Sequence, residues 1–244
     1  MPGGFTAEFA LFSVWMFGMI ASIDPRIAAL APDFRAMSIT VEAGEPFIEA
    51  IAEKALADAY RAVGQNEPSW AQEHMAAWAV VFQRFGAKPN RTPCSAEALR
   101  KRFLRDGSLP RVNPIVDLYN AISLRYAVPV GGENLNAYVG QPRLTIADGS
   151  EAFDTMKDGN PITESPDRGE VVWRDDQGVT CRRWNWRQGV RTRLNPGARR
   201  MWFILESLGP MPIEALHQAS EEFVAGVKAM SAAARIETAL LTAC

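Results

Sequence analysis

The chain has 244 residues, 48% of them hydrophobic and 22% charged, which is typical of a folded globular protein and excludes a disordered one. Its 26 lysines and arginines and 28 acidic residues give a formal net charge of −2, which excludes a uniformly basic nucleic-acid-binding protein. The 3 cysteines are far apart, and there are 2 histidines and no zinc-ligand or nucleotide-binding motif. We therefore expect reduced thiols, no metal and no cofactor.

Residues 9–23 form an apolar run near the start of the chain. The cationic residues that precede the apolar core of a signal peptide are missing, because Glu8 is the only charged residue before Asp24. The run is also shorter than the ~20 residues that span a bilayer. We therefore expect residues 1–23 to form an apolar N-terminal extension of a cytoplasmic protein that does not contact a membrane.

Hydrophobic periodicity predicts helices in the first half of the chain and strands in the second. A short helix over 24–30 comes first, and a strand over 34–41 follows it. The other predicted helices are 46–64, 69–85, 96–105, 115–126 and 212–230. The other predicted strands are 143–147, 170–174, 178–184 and 201–206. The pattern predicts one α+β domain, with N-terminal helices packed on a strand-rich, β-sandwich-like second half and an extra C-terminal helix.

Residues 182–200 are the most unusual stretch, because they contain seven arginines and no acidic residue. Tryptophans at 184 and 186 are interleaved with the first arginines. Arginine binds phosphate through two parallel hydrogen bonds, and the indole ring stacks on nucleobases. The combination is typical of a protein that grips a single-stranded RNA end.

A purely structural interpretation of this stretch stays open. In a strand, alternation would place the arginines of 183 and 187 on one face and both tryptophans on the other, in the core. The arginines would then form ion pairs, and the candidate partners are Glu151, Glu170, Asp175 and Asp176.

Three sequence words carry a resemblance to a known family: RVNPIVDLYN over 111–120, ADGSEAF over 147–153 and CRRWNWRQ over 181–188. Together they resemble the freestanding relatives of the B3/B4 domain, the editing domain of the phenylalanyl-tRNA synthetase beta subunit. In the synthetase this domain hydrolyses tyrosine that was mistakenly esterified to the phenylalanine tRNA. The resemblance implies a B3/B4-like domain over 24–210. The amphipathic pattern that follows predicts 211–244 as a C-terminal helical extension packed on this domain.

The resemblance also implies a site. The family's editing asparagine falls on Asn120, and its editing glutamate, at the end of an apolar strand, falls on Glu206. The family's histidine, eleven positions after the asparagine, is replaced here by Gly131. The glycine-rich turn that shapes the family's amino-acid pocket corresponds to 183–188, where bulky polar residues must give a different pocket.

We therefore predict that Asn120 and Glu206 are catalytic. Glu206 would position a water, act as a base or bind the α-ammonium group of the substrate. The predicted substrate-binding residues are Arg183, Trp184, Asn185, Trp186, Arg187, Gln188, Arg111, Asn113, Lys88, Glu151 and Gly131. Caps and ion pairs at turns explain Lys88, Arg111, Asn113 and Glu151 equally well.

Two further side chains have simpler explanations. His74 lies on a helical face with tryptophans and is expected to be packed rather than catalytic. The Cys181 thiol, beside two arginines, would be a nucleophile only with a lowered pKa, and no histidine base accompanies it.

The function implied by the resemblance is a protein that binds the aminoacylated 3′ end of a tRNA, holds the amino acid in a pocket and hydrolyses mischarged esters in trans. It is not expected to be a ligase. The alternative is a non-catalytic RNA- or amino-acid-binding module with the same fold, which Gly131 favours. A small-molecule amidase or esterase is a third possibility, and the oligomeric state is left open.

Overall fold

A computed structural model describes residues 21–44 and 47–243 of the chain. The prediction for residues 1–20 lies outside the described residues. The helices are α1 (Ile27–Leu30), α2 (Glu49–Ala62), α3 (Ala71–Arg84), α4 (Ser95–Asp106), α5 (Pro114–Tyr126) and α6 (Ile213–Met230). Each corresponds to a predicted helix, because hydrophobic periodicity is a strong signal in amphipathic segments.

The strands are more numerous than the sequence indicates. They are β1 (Ser22–Ile23), β2 (Arg35–Glu42), β3 (Val130–Asn134), β4 (Arg143–Ile146), β5 (Phe153–Lys157), β6 (Asn160–Glu164), β7 (Val171–Arg174), β8 (Val179–Arg182), β9 (Arg187–Gln188), β10 (Arg200–Ser207) and β11 (Arg235–Thr242). They form a five-stranded sheet in the order β1-β4-β7-β8-β9, a four-stranded sheet in the order β11-β2-β10-β3, and the hairpin β5-β6. The architecture confirms the predicted α+β class.

The four-stranded sheet is the middle layer of the molecule. On one face, Ile39 and Phe203 pack against α5 and α6 in one buried core. On the other face, Trp202 and Ile204 pack with Trp173 of the five-stranded sheet and with α3 in a second core. Residues that alternate along β10 therefore belong to different cores, as the two-residue period of a strand requires.

Several strands were not predicted, each for a local reason. The sequence of β3 contains Gly131 and Gly132, which weaken a strand signal. A Cβ atom on Gly132 would lie 2.7 Å from the ring of Phe203, so close packing against β10 explains this glycine. The β5-β6 hairpin turns at Asp158 and Gly159, which both have positive φ, as expected for an Asp-Gly turn.

The C-terminal segment is not purely helical, contrary to the prediction for 211–244. After α6 the chain returns as β11 and pairs antiparallel with β2 over its full length, from Arg235 opposite Glu42 to Thr242 opposite Arg35. Among the described residues, none of the helices combines the length and the hydropathy that a membrane span needs.

His74 is a packed histidine that joins α3 to the middle sheet. Its Nδ1 donates to the carbonyl oxygen of Ala127 at 2.9 Å. Its Nε2 accepts from the Trp78 indole at 3.1 Å and from the backbone N–H of Leu208 at 3.1 Å. Burial lowers the pKa of His74 to about 4, because the charged ring would lose solvation and the Nε2 acceptor.

We expect His74 to make stability depend on pH. Because its pKa falls from 6.5 to about 4 on folding, the unfolded chain binds the extra proton in this window, and stability decreases as the pH falls through it. The free energy lost by His74→Gln in urea unfolding should therefore be largest above pH 7 and shrink towards pH ~4. A loss that stays constant between these pH values would contradict a neutral buried ring.

Candidate active site

A cavity of about 190 Å³ lies between the middle sheet, β7 to β9 of the five-stranded sheet, and helices α4 and α5. Seven predicted site residues line it: Asn120, Gly131, Trp184, Asn185, Trp186, Gln188 and Glu206. Residues from distant parts of the chain therefore meet at one place, which we call the central pocket.

Glu206 lies at the end of β10 and is 1% exposed. Its Oε1 accepts from the Trp173 indole at 2.8 Å, and its Oε2 accepts from the Asn185 amide at 2.9 Å. Burial raises the pKa of Glu206 to about 7, and the donors Trp173, Asn185 and Trp184 act against this rise. The carboxylate is thus held in one orientation and titrates near neutral pH.

Asn185 connects three elements through its side chain. While its amide nitrogen donates to Glu206, its Oδ1 accepts from the backbone N–H of Ser95 at 3.3 Å, at the first residue of α4. Both ends of the amide therefore have partners, which fixes its orientation and that of the glutamate.

Glu133 is a second buried carboxylate of the central pocket, 4% exposed, that the sequence analysis missed. Tyr138 Oη donates to its Oε2, and Gln188 Nε2 donates to its Oε1 at 3.3 Å. Burial raises the pKa of Glu133 to about 7. The available signal was its position two residues after Gly131, which places both on one face of a strand.

The walls of the central pocket are aromatic and carry no positive charge. Five aromatic residues line it: Tyr119, Trp173, Trp184, Trp186 and Trp202. Among the described residues that line it there is no lysine, arginine or histidine. Carboxylates and indole faces without a cation favour a ligand that brings its own positive charge.

Two buried polar atoms in the pocket lack hydrogen-bond partners among the described residues. Ser95 Oγ and Trp184 Nε1 are buried and unpartnered. Because a buried polar group is normally satisfied, these groups identify positions where a ligand or water completes the site.

Residues 183–186 form a turn rather than the predicted strand. Arg183 and Trp184 have φ values of 46° and 65°, in the left-handed region that non-glycine residues rarely adopt. Strict alternation between two faces is therefore wrong here, and Trp184, Asn185 and Trp186 all line the pocket. Trp184 packs edge-on against Phe34, with ring centroids 5.0 Å apart.

Glu170 holds this turn in place. Its buried carboxylate accepts from Arg182 Nε at 3.0 Å and Nη2 at 2.7 Å, and from the backbone N–H of Arg183 at 2.9 Å. The Glu170 carboxylate thus fixes both the side chain of Arg182 and the backbone of Arg183. These hydrogen bonds offset the strain of the left-handed residues in the turn.

Acidic residues from the preceding segment neutralise much of the arginine-rich stretch. Arg182 and Arg183 pair with Glu170, and Arg191 pairs with Asp175 at 2.8 Å, both acids being predicted partners. Arg187 lies 3.8 Å from Glu164 and is 37% exposed. No ion pair is found within the described residues for the rest of the seven, Arg193, Arg199 and Arg200.

The remaining predicted binding residues lie outside the pocket lining. Asn113 caps α5 by accepting from the Val116 N–H at 3.0 Å. Arg111 pairs with Asp117, and Glu151 accepts two backbone N–H groups of the 148–149 turn, each at 3.0 Å. Lys88, Arg183 and Arg187 are likewise not part of the pocket lining, although the guanidinium of Arg183 lies over the ring of Trp186 at 4.7 Å.

Cys181 lines the pocket, but its chemistry differs from that of an activated thiol. Burial, together with Glu133 and Glu206, raises its pKa well above the usual value, so the thiol stays protonated. The nearby arginines do not lower it, because Glu170 neutralises Arg182. In the described part of the chain, no three histidine, cysteine or acidic side chains are grouped as metal ligands.

The B3/4 domain family model matches residues 77–240, well over half of the chain. The chain therefore belongs to the B3/4 domain family, which confirms the family that the sequence motifs predicted.

Among solved structures, an N-terminal fragment of the phenylalanyl-tRNA synthetase beta subunit from Pyrococcus horikoshii is similar, with 11% identity and a TM-score of 0.43. The match covers 88% of this chain and 49% of that one, so the chain spans about half the length of the fragment. No curated protein sequence matches the chain.

We expect Glu170→Gln to destabilise the fold by about 3 kcal/mol, because the variant leaves the buried Arg182 without its main partner and releases the strained turn. The matched control is Glu164→Gln, which removes a half-exposed partner of the same arginine and should cost less than about 1 kcal/mol. Urea unfolding measures both values. Equal losses in the two variants would show that Glu170 does not hold the turn.

Proposed function

We propose that this protein binds the aminoacylated 3′ end of a tRNA and hydrolyses the ester of a mischarged amino acid in trans. Membership of the B3/4 family and the resemblance of the sequence to editing domains support this proposal. The observation that carries it is that Asn120 and Glu206, the positions that the resemblance assigns to editing chemistry, line one buried pocket.

The charges of the central pocket favour an aminoacyl ester over a free amino acid. A free amino acid carries a carboxylate, which would need a cationic partner, and the described lining residues provide none. In the ester that carboxylate is neutralised by its bond to the ribose, whereas the α-ammonium group remains. An ester therefore brings a positive charge to a pocket that contains two buried carboxylates, and it brings no negative charge.

The proposed reaction is a hydrolysis that begins at Glu206. The carboxylate accepts a proton from a water molecule, whose oxygen attacks the ester carbonyl carbon. The carbonyl electrons move onto the oxygen, where donors such as Trp184 Nε1 and the Asn120 amide stabilise the negative charge. When the carbonyl re-forms, the bond to the ribose oxygen breaks, and this oxygen takes up the proton that Glu206 accepted, which regenerates the carboxylate. The products are the free amino acid and an uncharged tRNA.

The RNA would be held outside the pocket. Arg183 and Arg187 lie beside Trp186, with guanidinium-to-ring distances of 4.7 Å and 5.9 Å, and retain partial exposure. We assign them to the terminal nucleotides, where arginine binds phosphate and stacks on bases. Arg193, Arg200 and the exposed Lys88 are the further candidates for phosphate contacts.

The test is the loss of ester from a panel of correctly and incorrectly charged tRNAs. The protein should accelerate deacylation of at least one mischarged tRNA. Glu206→Gln should lower that rate by about 10²- to 10⁴-fold, because the amide cannot accept the proton of the water. The control is Glu73→Gln, which removes an exposed glutamate of α3 and should leave the rate unchanged.

The same assay examines the alternative of a non-catalytic module, which Gly131 favours because it replaces the family's histidine. No accelerated deacylation with any tRNA would contradict the editing function, and salt-sensitive tRNA binding would then support the alternative. If deacylation is still accelerated by the Glu206→Gln variant, the assignment of Glu206 as the base is wrong, but the editing function stands.

The pH dependence of deacylation is a separate prediction. Since burial raises the pKa of Glu206 to about 7, the ionised base predominates only above neutral pH. After subtraction of spontaneous hydrolysis, kcat/KM should rise from pH ~6 to a plateau at pH ~8, with its midpoint near 7. Because Glu133 titrates in the same range, the profile is repeated with Glu133→Gln. Loss of the midpoint in this variant would contradict its assignment to Glu206.

A further inference from the structure

Glu133 gives the central pocket a carboxylate that the proposed hydrolysis does not use. It is almost fully buried, and its hydrogen-bond donors, Tyr138 and Gln188, are both neutral. No cation pairs with it among the described residues. Thr180 and Thr192 are further neutral side chains that lower its pKa as nearby hydrogen-bond donors, so the carboxylate lacks a counter-charge rather than donors.

The two pocket glutamates lie at separate ends of one sheet face. Glu133 of β3 is directly opposite Trp202 of β10, and Glu206 is on the same face of β10, further along the strand. Four residues at about 3.4 Å each separate the two backbones by about 14 Å along the strands. Their hydrogen-bond partners are also different, so a single ammonium group does not serve both carboxylates.

The unpartnered donors indicate which end of the pocket holds the ester group of the ligand. Trp184 Nε1 is fully buried, lines the pocket and lowers the pKa of Glu206 as a nearby donor, but it does not complete a hydrogen bond to that carboxylate, so it lies at the Glu206 end. The other unpartnered donor, Ser95 Oγ, belongs to the residue whose N–H binds Asn185, beside Glu206. Both donors need an acceptor, which an ester carbonyl provides. The amino-acid side chain then extends along the aromatic wall towards Glu133.

We propose that the pocket selects aminoacyl esters whose side chain ends in an ammonium group, with Glu133 as the partner of that group. A hydroxyl would satisfy a hydrogen bond but leave the buried carboxylate charge without compensation, whereas an ammonium provides both. Trp202, opposite Glu133, and Trp173, bonded to Glu206, add indole rings to the pocket lining, and indole rings favour a cation over a neutral chain. This specificity rests on the proposed function for the ester, while binding is testable without hydrolysis.

The binding experiment uses L-lysinamide and L-norleucinamide, which share an α-ammonium, a neutral amide and a four-carbon side chain and differ in the terminal ammonium. Titration calorimetry at pH ~8, where the carboxylates are ionised, should give at least about tenfold tighter binding of lysinamide. Equal affinities would overturn the proposal, and this comparison needs only the unmodified protein.

Three variants test whether Glu133 is responsible for the preference for lysinamide over norleucinamide. Glu133→Gln should weaken lysinamide at least about tenfold and change norleucinamide less than about twofold, whereas Glu206→Gln should weaken both ligands and Glu73→Gln neither. Thermal unfolding verifies that each variant is folded. A Glu133→Gln protein that still prefers lysinamide tenfold would refute the role of Glu133.

Deacylation separates this inference from the proposed function. Glu133-dependent lysinamide binding without hydrolysis of any aminoacyl-tRNA would support the pocket specificity while the editing function fails. Hydrolysis of tRNAs charged with neutral amino acids, with no preference for a lysyl or ornithyl ester, would overturn the specificity while the editing function stands.

Discussion

The carboxylate of Glu170 is the group on which the central pocket depends. It pairs with Arg182 and accepts from the backbone N–H of Arg183, and these contacts stabilise the left-handed conformation of Arg183 and Trp184. Only this conformation sends Trp184 into the core and Asn185 towards Glu206. A regular strand would have separated these side chains onto opposite faces, and the pocket would lack one wall.

Charge is distributed differently inside the molecule and at its surface. The arginines of 182–191 are largely matched by acids from 164–175, whereas the buried Glu133 and Glu206 have no cationic partner among the described residues. Buried carboxylates without a cation cost folding free energy, and such costs are usual where a ligand provides the missing charge. The pocket and its neutral hydrogen-bond donors are therefore suited to an ammonium-bearing ester.

The sequence predicted the helices well, because their amphipathic patterns are local. It also predicted Asn120 and Glu206 as site residues, through the resemblance to editing domains, and both line the central pocket. It did not predict β3, and for that reason it missed Glu133. The residues of β3 become a strand through pairing with β10, and Gly132 is required by the ring of Phe203, a contact between distant residues.

The sequence by itself determined the α+β class, the family and the arginine-tryptophan stretch as the unusual feature of a chain with net charge −2. Only the tertiary structure decided which of those arginines form ion pairs with acidic residues. Ion pairs such as that of Arg191 with Asp175 form between segments that pack together, and a count along the chain does not contain this information. The turn at 183–186 was decided in the same way, because its backbone conformation is stabilised by a carboxylate thirteen residues earlier.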